Sequence, residues 1–216
     1  MSKHVFREEL ARALATANLA PAPQALDAIA DALARHYSEP VRAYHTAAHI
    51  AAMLADYLPF ERHAQSPAAV TLAILYHDVI YDPQRSDNEA ASAAFAATAL
   101  RGLGAPAALT ARITDLIVAT KHGATNPDPA DRDCALLLDL DLAVLGGTPA
   151  AYRAYADAIR IEYAHVPDAA YRAGRAHVLK QFLAAPHIYR TDEFRARLDV
   201  RARENLAKEI AQLEHG

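Results

Sequence analysis

The stretch VTLAILYHDVIYDP, residues 70–83, decides how the rest of the chain is interpreted. It begins with an apolar run that lies inside a predicted helix over residues 67–80. His77 and Asp78 follow that run directly. A buried imidazole and a buried carboxylate each cost several kcal/mol unless they are hydrogen-bonded, paired or bound to a metal. The stretch therefore predicts a helix that ends in a polar site.

Proline and glycine divide the chain into segments of helical length, and no stretch alternates strictly between apolar and polar residues. The prolines fall between these segments or at their edges, where a helix tolerates them. The expected fold is all-α, a single-domain bundle of about eight to ten helices. The predicted helices cover residues 3–17, 24–37, 41–58, 67–80, 87–101, 106–122, 131–145, 148–164, 168–184 and 192–213.

The chain has 216 residues, which is long enough for one well-buried domain over 1–216, and 53% of them are hydrophobic, which excludes wholesale disorder. A net charge of −4 gives no general attraction for nucleic-acid polymers or anionic membranes. With Cys134 as the sole cysteine, no intramolecular disulfide can form. No signal peptide or membrane span is recognisable, so we expect a cytoplasmic protein.

A second polar site is indicated by YHTAAHI, residues 44–50. His45 and His49 are four residues apart, so both imidazoles would share one face of the predicted helix 41–58. A histidine pair alone is more often two ordinary surface or core residues than a metal site. The pair becomes informative only in combination with His77 and Asp78.

A third site is indicated by CALLLDLDLAVLGG, residues 134–147, where Asp139 and Asp141 interrupt a leucine-rich helix. The two carboxylates point about 200° apart on a helix, so both cannot easily reach one site. Asp141 lies in the middle of the most apolar stripe, and Asp139 lies on the opposite side. Asp141 is therefore the better candidate for a ligand, because its expected burial demands a partner.

Lys121 and His122 close the predicted helix 106–122 just before Gly123. Cations at a helix C-terminus interact favourably with the helix dipole, which accounts for both residues without a site. A role near a ligand is the alternative, since the longest irregular stretch, residues 122–131, follows directly. Both interpretations stay open.

The order of these residues resembles that of the HD superfamily of metal-dependent phosphohydrolases. YHTAAHI is similar to the YHNxxHA box of cyclic-nucleotide phosphodiesterases, with Thr46 in place of their Asn. HDVIYD looks like the end of the HD helix, and DLAVLG like an Asp-x-x-x-Leu-Gly element of some members, which independently selects Asp141 over Asp139. Over most of its length the chain is similar to a bacterial group of predicted HD phosphohydrolases.

The resemblance implies a divalent metal ion, either Mn, Fe, Co, Ni, Zn or Mg, bound by His49, His77, Asp78 and Asp141. The matching core would span about residues 41–145, with a helical elaboration over 148–213. The implied reaction is hydrolysis of a phosphate ester by metal-activated water. His45, at the first position of the phosphodiesterase box, is the implied proton donor to the leaving oxygen.

Other residues receive softer predictions. Asp82 could orient water as a third catalytic residue beside His45 and Asp78, but a turn residue before Pro83 is the favoured alternative. Contacts to the substrate phosphate or to a second metal ion could come from His122, Lys121 and Arg175. For each of the two cations Lys121 and Arg175, a solvated or ion-paired surface residue is the alternative.

Two other functions remain open. The first is a metal-dependent oxygenase of the HD type, although the two additional histidines of that branch are not both present between Asp78 and Asp141, where only His122 is found. The second is a non-catalytic nucleotide-binding or regulatory module. For the hydrolase, the expected partner is a small phosphorylated substrate such as a nucleotide, and a homo-oligomer is compatible with the sequence.

Overall fold

The computed structural model describes residues 3–121, 128 and 130–215. Within these ranges the chain forms ten α-helices and two 3-10 turns and contains no strand, which confirms the all-α prediction. The α-helices are α1 Lys3–Thr16, α2 Pro23–His36, α3 Ala47–Tyr57, α4 Pro67–Tyr76, α5 Asn88–Gly102, α6 Ala107–Ala119, α7 Arg132–Asp141, α8 Pro149–Glu162, α9 Asp168–Ala184 and α10 Asp192–His215. The 3-10 turns are Glu61–His63 and Ala143–Gly146.

The chain separates into two compact units, the first ending at Leu137 and the second beginning at Leu138. This boundary differs from the predicted division into a core over 41–145 and an elaboration over 148–213. The prediction of a single domain stays a prediction.

Helix α4 is the centre of the first unit. Every residue from Ala68 to Tyr76 is buried, as a helix that is apolar on all sides requires. It packs against α1, α3, α5 and α6. Pro67 occupies its first turn, and the buried carboxylate of Asp133 accepts hydrogen bonds from the N–H groups of Gln65 (2.7 Å) and Ser66 (2.8 Å) just before it. These contacts fix where α4 begins, and therefore also where its last turn lies.

The second unit packs the 3-10 turn Ala143–Gly146 against α8 and α10 and packs α9 against α10. A Cβ atom added to Gly146 would lie 2.5 Å from Leu198 Cβ, so the turn and α10 approach each other too closely for any side chain there. The amide of Asn205 donates to the carbonyls of Leu145 (2.9 Å) and Gly147 (3.0 Å). The glycine that ends DLAVLG thus allows the turn to pack closely against α10 within this unit.

The helix that carries His49 begins later than predicted. The predicted helix 41–58 starts in the structure at Ala47, because Thr46 has an extended backbone and its hydroxyl accepts the N–H of Ala48 at 3.2 Å as an N-cap. His45 therefore precedes α3, and the prediction that it shares a helix face with His49 is wrong. Similarly, α4 ends at Tyr76 with His77 as its C-cap, four residues short of the predicted end.

No single helix in the described ranges is long and apolar enough to cross a membrane; only the bent pair Arg132–Gly146 and Pro149–Glu162, taken together, has the length and composition of a span.

Candidate metal centre

Three predicted ligands converge inside the first unit. His49 lies on α3, His77 caps the C-terminus of α4, and Asp78 follows it in the turn. Each offers one ligand atom, and these atoms all lie within 4.8 Å of one another. His49 is 5% exposed and His77 1%, so the trio is largely withdrawn from water. The packing of α3 on α4 brings these side chains together.

The hydrogen bond at Nδ1 of His77 determines which tautomer faces the site. This nitrogen lies 3.0 Å from the carbonyl oxygen of Ile74, which can only accept, so Nδ1 carries the proton. Nε2 of the neutral ring is then an acceptor, and it lies 3.1 Å from Oδ2 of Asp78. Two acceptors this close in a buried place require a proton or a cation between or beside them.

The trio fits a divalent cation. Nitrogen and oxygen ligands bind such ions at about 2.0–2.2 Å, so two ligand atoms of one ion lie at most about 4.4 Å apart. The ligand atoms of the trio lie within 4.8 Å of one another, which is within a few tenths of an ångström of that limit. A backbone carbonyl that accepts from the far ring nitrogen, as Ile74 does from His77, is also the usual support of a metal-binding histidine.

His45 lies beside the trio although it is not on α3. Its ring centroid is 6.1 Å from that of His49, and its ring stacks on Tyr81 with a centroid separation of 4.3 Å and an interplanar angle of 29°. Tyr44 meets the same imidazole edge-on at 5.0 Å. The predicted proton donor is therefore near the predicted ligands, but aromatic neighbours rather than a helix hold its ring.

Arg42 is a component of the site that sequence reasoning missed. Its side chain is completely buried, and its guanidinium donates to the carbonyl oxygens of His45 (3.0 Å), Asp78 (2.7 Å) and Val79 (3.0 Å). The remaining donors meet the carboxylate of Glu39. Arg42 thus ties the segment that carries His45 to the turn that carries Asp78. Nothing in the sequence distinguishes it from a surface arginine, since Glu39 is an ordinary i,i+3 partner and its other three acceptors are backbone carbonyls.

The two aspartates of α7 have environments that the helical-wheel argument predicted incorrectly. Asp139 is 0% exposed, whereas Asp141 is only half-buried as the last residue of the helix. Asp139 accepts from the N–H groups of Arg190 and Thr191, both at 2.7 Å, and from the Thr191 hydroxyl at 2.6 Å. Burial raises the pKa of Asp139, although these three donors act in the opposite direction. Asp139 is thus a structural acceptor that supports the start of α10.

Asp141 belongs to the second unit, and its role as the fourth ligand stays a prediction. The three donors to Asp139 account for the burial of its carboxylate without a metal. The helical-wheel argument failed because both sides of α7 are buried: Leu136, on the side of Asp139, is only 3% exposed, whereas Asp141 is the last residue of the helix.

The softer candidates lie in settings that favour structural roles. Oδ1 of Asp82 accepts the N–H of Gln84 at 2.9 Å, as expected for the turn-residue alternative. The ammonium of Lys121 is exposed and donates to the carbonyl of Ser86 at 2.6 Å. His122 lies outside the described residues. The roles of Asp82, Lys121 and His122 in binding or catalysis stay predictions.

Arg175 is committed to a buried network in the second unit. Its guanidinium is paired with Glu209, with 2.9 Å between Nε and Oε1, and donates to the hydroxyl of Tyr155 at 3.2 Å. The hydroxyl of Tyr152 donates to the same carboxylate. These neighbours raise the pKa of the Arg175 guanidinium even though burial opposes them. Arg175 is thus ion-paired, as the alternative interpretation expected, but the pair is buried within the second unit and does not lie on its surface.

No protein-family model matches this chain, and no curated protein or solved structure matches it either. The likeness to HD phosphohydrolases therefore rests on the sequence motifs alone. The trio within the first unit is an independent observation that bears on the chemistry of those motifs.

Proposed function

We propose that this protein is a metal-dependent phosphohydrolase of the HD type. It hydrolyses a phosphate ester of a nucleotide or another small metabolite. The observation that carries the proposal is the approach of Nε2 of His77 to Oδ2 of Asp78 at 3.1 Å, with Nδ1 bonded to the Ile74 carbonyl and His49 alongside. Such an arrangement of buried acceptors is suited to a cation.

His49, His77 and Asp78 would hold the ion within the first unit, and Asp141 is proposed as the fourth ligand. When bound, a divalent ion supplies an acidified water and a Lewis acid for a phosphoryl oxygen. The two imidazoles and the carboxylates suit Mn, Fe, Co, Ni or Zn better than Ca. Mg remains a candidate because phosphate oxygens can complete its coordination.

The other roles in the proposed reaction belong to side chains and backbone groups of the protein. The carbonyl of Ile74 keeps the proton of His77 on Nδ1, so that Nε2 presents a lone pair to the cation. His45 would give a proton to the departing oxygen of the substrate. Without that proton the oxygen would leave as an alkoxide, which is a poor leaving group, and the reaction would be slow. The burial of His49 and His77 strengthens the electrostatic interactions in the site.

The proposal is tested with purified protein loaded in turn with Mn, Fe, Co, Ni, Zn and Mg. Metal content is measured by elemental analysis, and phosphate release is followed over a panel of phosphomonoesters and cyclic and linear phosphodiesters. We expect at least one metal to support turnover. His77→Gln should lose both the metal and turnover, whereas His45→Ala should keep the metal and lose about 10²–10⁴-fold in kcat.

The matched control is His177→Ala, which removes an exposed imidazole on α9 and should leave metal content and turnover unchanged. Oxygen consumption by the iron-loaded protein without phosphate release would identify an oxygenase instead. Nucleotide binding by metal-replete protein that hydrolyses no phosphoester would identify a regulatory module.

A further inference from the structure

The position of His45 raises the question of what orients its imidazole. His45 precedes the N-cap of α3, so no turn of helix fixes its direction. Contacts with neighbouring residues take the place of the helix. Arg42 donates to the carbonyl oxygen of His45 at 3.0 Å, the ring of His45 stacks on that of Tyr81, and Tyr44 meets the same ring edge-on.

Tyr81 belongs to a stacked cluster made of Tyr37, Arg42, Tyr81 and His45. The guanidinium carbon of Arg42 lies over both phenol rings, 5.1 Å from the centroid of Tyr37 and 5.4 Å from that of Tyr81. Tyr37 in turn stacks on Phe6 of α1 with a centroid separation of 5.6 Å and an interplanar angle of 12°. The stacked cluster is thus anchored in the core of the first unit and reaches the imidazole of His45.

The same arginine also holds the backbone that carries Tyr81. Its hydrogen bonds to the carbonyls of Asp78 and Val79 fix the turn that leads from the metal ligands to Tyr81. A planar guanidinium has rigidly spaced donors, so it holds several acceptors in a fixed relation to one another. Because Arg42 is buried and ion-paired with Glu39, it can hold His45, Asp78 and Tyr81 in one arrangement.

We propose that Tyr81, supported by Arg42, is a positioning residue that aims the imidazole of His45 toward the candidate metal centre. The inference rests on the proposed function in one respect, namely that His45 is the proton donor. It assigns a role to Tyr81, which is not among the metal ligands that the resemblance implies. Neither Tyr81 nor Arg42 is a catalytic residue in this account.

The stack has a kinetic consequence. A displaced catalytic group can lose on the order of a hundredfold in rate, because proton transfer requires the donor within hydrogen-bond reach. Tyr81→Leu removes the ring on which His45 stacks, so kcat should fall by about that factor while KM and metal content stay at wild-type values. Tyr81→Phe keeps the ring and should keep most of the rate.

The experiment combines these variants with His45→Ala in a double-mutant cycle on the metal-loaded protein. If Tyr81 acts through His45, Tyr81→Leu should cause little further loss of kcat in the His45→Ala background. Equal losses in both backgrounds would instead show a general effect on the fold and would overturn the inference. Arg42→Lys keeps the charge but loses the planar guanidinium with its rigidly spaced donors, so it should reduce kcat in the same His45-dependent way.

A second measurement does not depend on turnover. The ring current of a stacked phenol shifts the Cε1 proton of His45 upfield in the proton NMR spectrum, and His45→Ala identifies that resonance. Tyr81→Leu should move it downfield and Tyr81→Phe should leave it in place. If Tyr81→Leu changes neither the chemical shift of this resonance nor kcat, while His45→Ala lowers kcat, the positioning role is wrong and the proposed function stands. If wild-type protein hydrolyses no phosphoester, the proposed function fails, and the resonance alone decides whether Tyr81 orients His45.

Discussion

Two kinds of buried charge occur in this molecule. In the second unit, Asp139 accepts three hydrogen bonds from Arg190 and Thr191, and Arg175 is paired with Glu209. In the first unit, the pair His77–Asp78 sets a ring nitrogen against a carboxylate oxygen at 3.1 Å. Asp139 and Arg175 thus each face groups of complementary character, whereas the cation proposed to bind beside His77 and Asp78 would be a third species.

The contrast separates groups that stabilise the fold from groups that are suited to binding. Full pairing of a buried charge makes its loss costly, because the partner is left uncompensated. Two facing acceptors have the opposite property: replacing one of them with a donor can stabilise the ligand-free protein. The two kinds of site should therefore respond in opposite directions to matched substitutions.

The largest expected effect on stability is at the buried pair of the second unit. Arg175→Met leaves Glu209 without its cation and should lower the free energy of unfolding by about 3–5 kcal/mol. Chemical denaturation measures this loss. Lys180→Met is the matched control on the same helix, since Lys180 pairs with Glu214 at 2.5 Å but both side chains are exposed, 56% and 41%. An exposed pair contributes about 0–1 kcal/mol, so similar losses for both variants would contradict the contrast.

The sharpest test replaces one carboxylate oxygen by an NH₂ group at each of two aspartates. Asp139→Asn places an NH₂ group against one of the donating N–H groups and should destabilise the protein by about 2–3 kcal/mol without changing its metal content. Asp78→Asn places an NH₂ group where it can donate to Nε2 of His77, so the metal-free protein should gain about 1 kcal/mol while metal binding is lost.

Denaturation of the metal-free proteins and elemental analysis of the metal-loaded proteins check both variants. Asp141→Ala belongs in the same series, because the proposed ligand set requires it to lower metal content. Equal metal content in Asp141→Ala and Asp139→Asn would remove Asp141 from that set. A loss of stability in Asp78→Asn as large as that in Asp139→Asn would remove the distinction between the two sites.

Sequence patterns predicted the helices well because proline and apolar periodicity act locally. The start of α9 at Asp168 and the apolar character of α4 follow directly from such signals. The trio His49, His77 and Asp78 was recognised from motifs and its members do converge. Burial of the polar residues was harder to predict. Asp139 was assigned to the wrong environment because its donors, in Arg190 and Thr191, are about fifty residues distant in the chain, where no local pattern identifies them.

Arg42 and the local structure of His45 show the same limit. Thr46 is an ordinary capping residue, and the sequence before it reads equally well as one more turn of helix. Three acceptors of Arg42 are backbone carbonyls, which every residue possesses, so its contacts to His45, Asp78 and Val79 have no sequence signature. Motifs thus identified the ligands, and the groups that hold them became evident only from three-dimensional contacts.

The smallest expected effects concern glycines of the second unit. Gly146→Ala would place a Cβ atom 2.5 Å from Leu198 Cβ and 2.9 Å from the carbonyl oxygen of Leu198, so it should cost about 1–2 kcal/mol. Gly174→Ala is the matched control: Gly174 lies inside α9 with no heavy atom within 4 Å of an added Cβ. That substitution should stabilise the protein by about 0.5–1 kcal/mol.

Thermal and chemical denaturation of the two glycine variants give the stabilities, and elemental analysis gives the metal content. Because Gly146 ends the DLAVLG element that the motif comparison associates with the metal site, the two measurements separate packing from binding. A stability loss with unchanged metal content assigns Gly146 to packing, in line with its closeness to Leu198. A loss of metal at unchanged stability would instead contradict the assignment of Gly146 to packing.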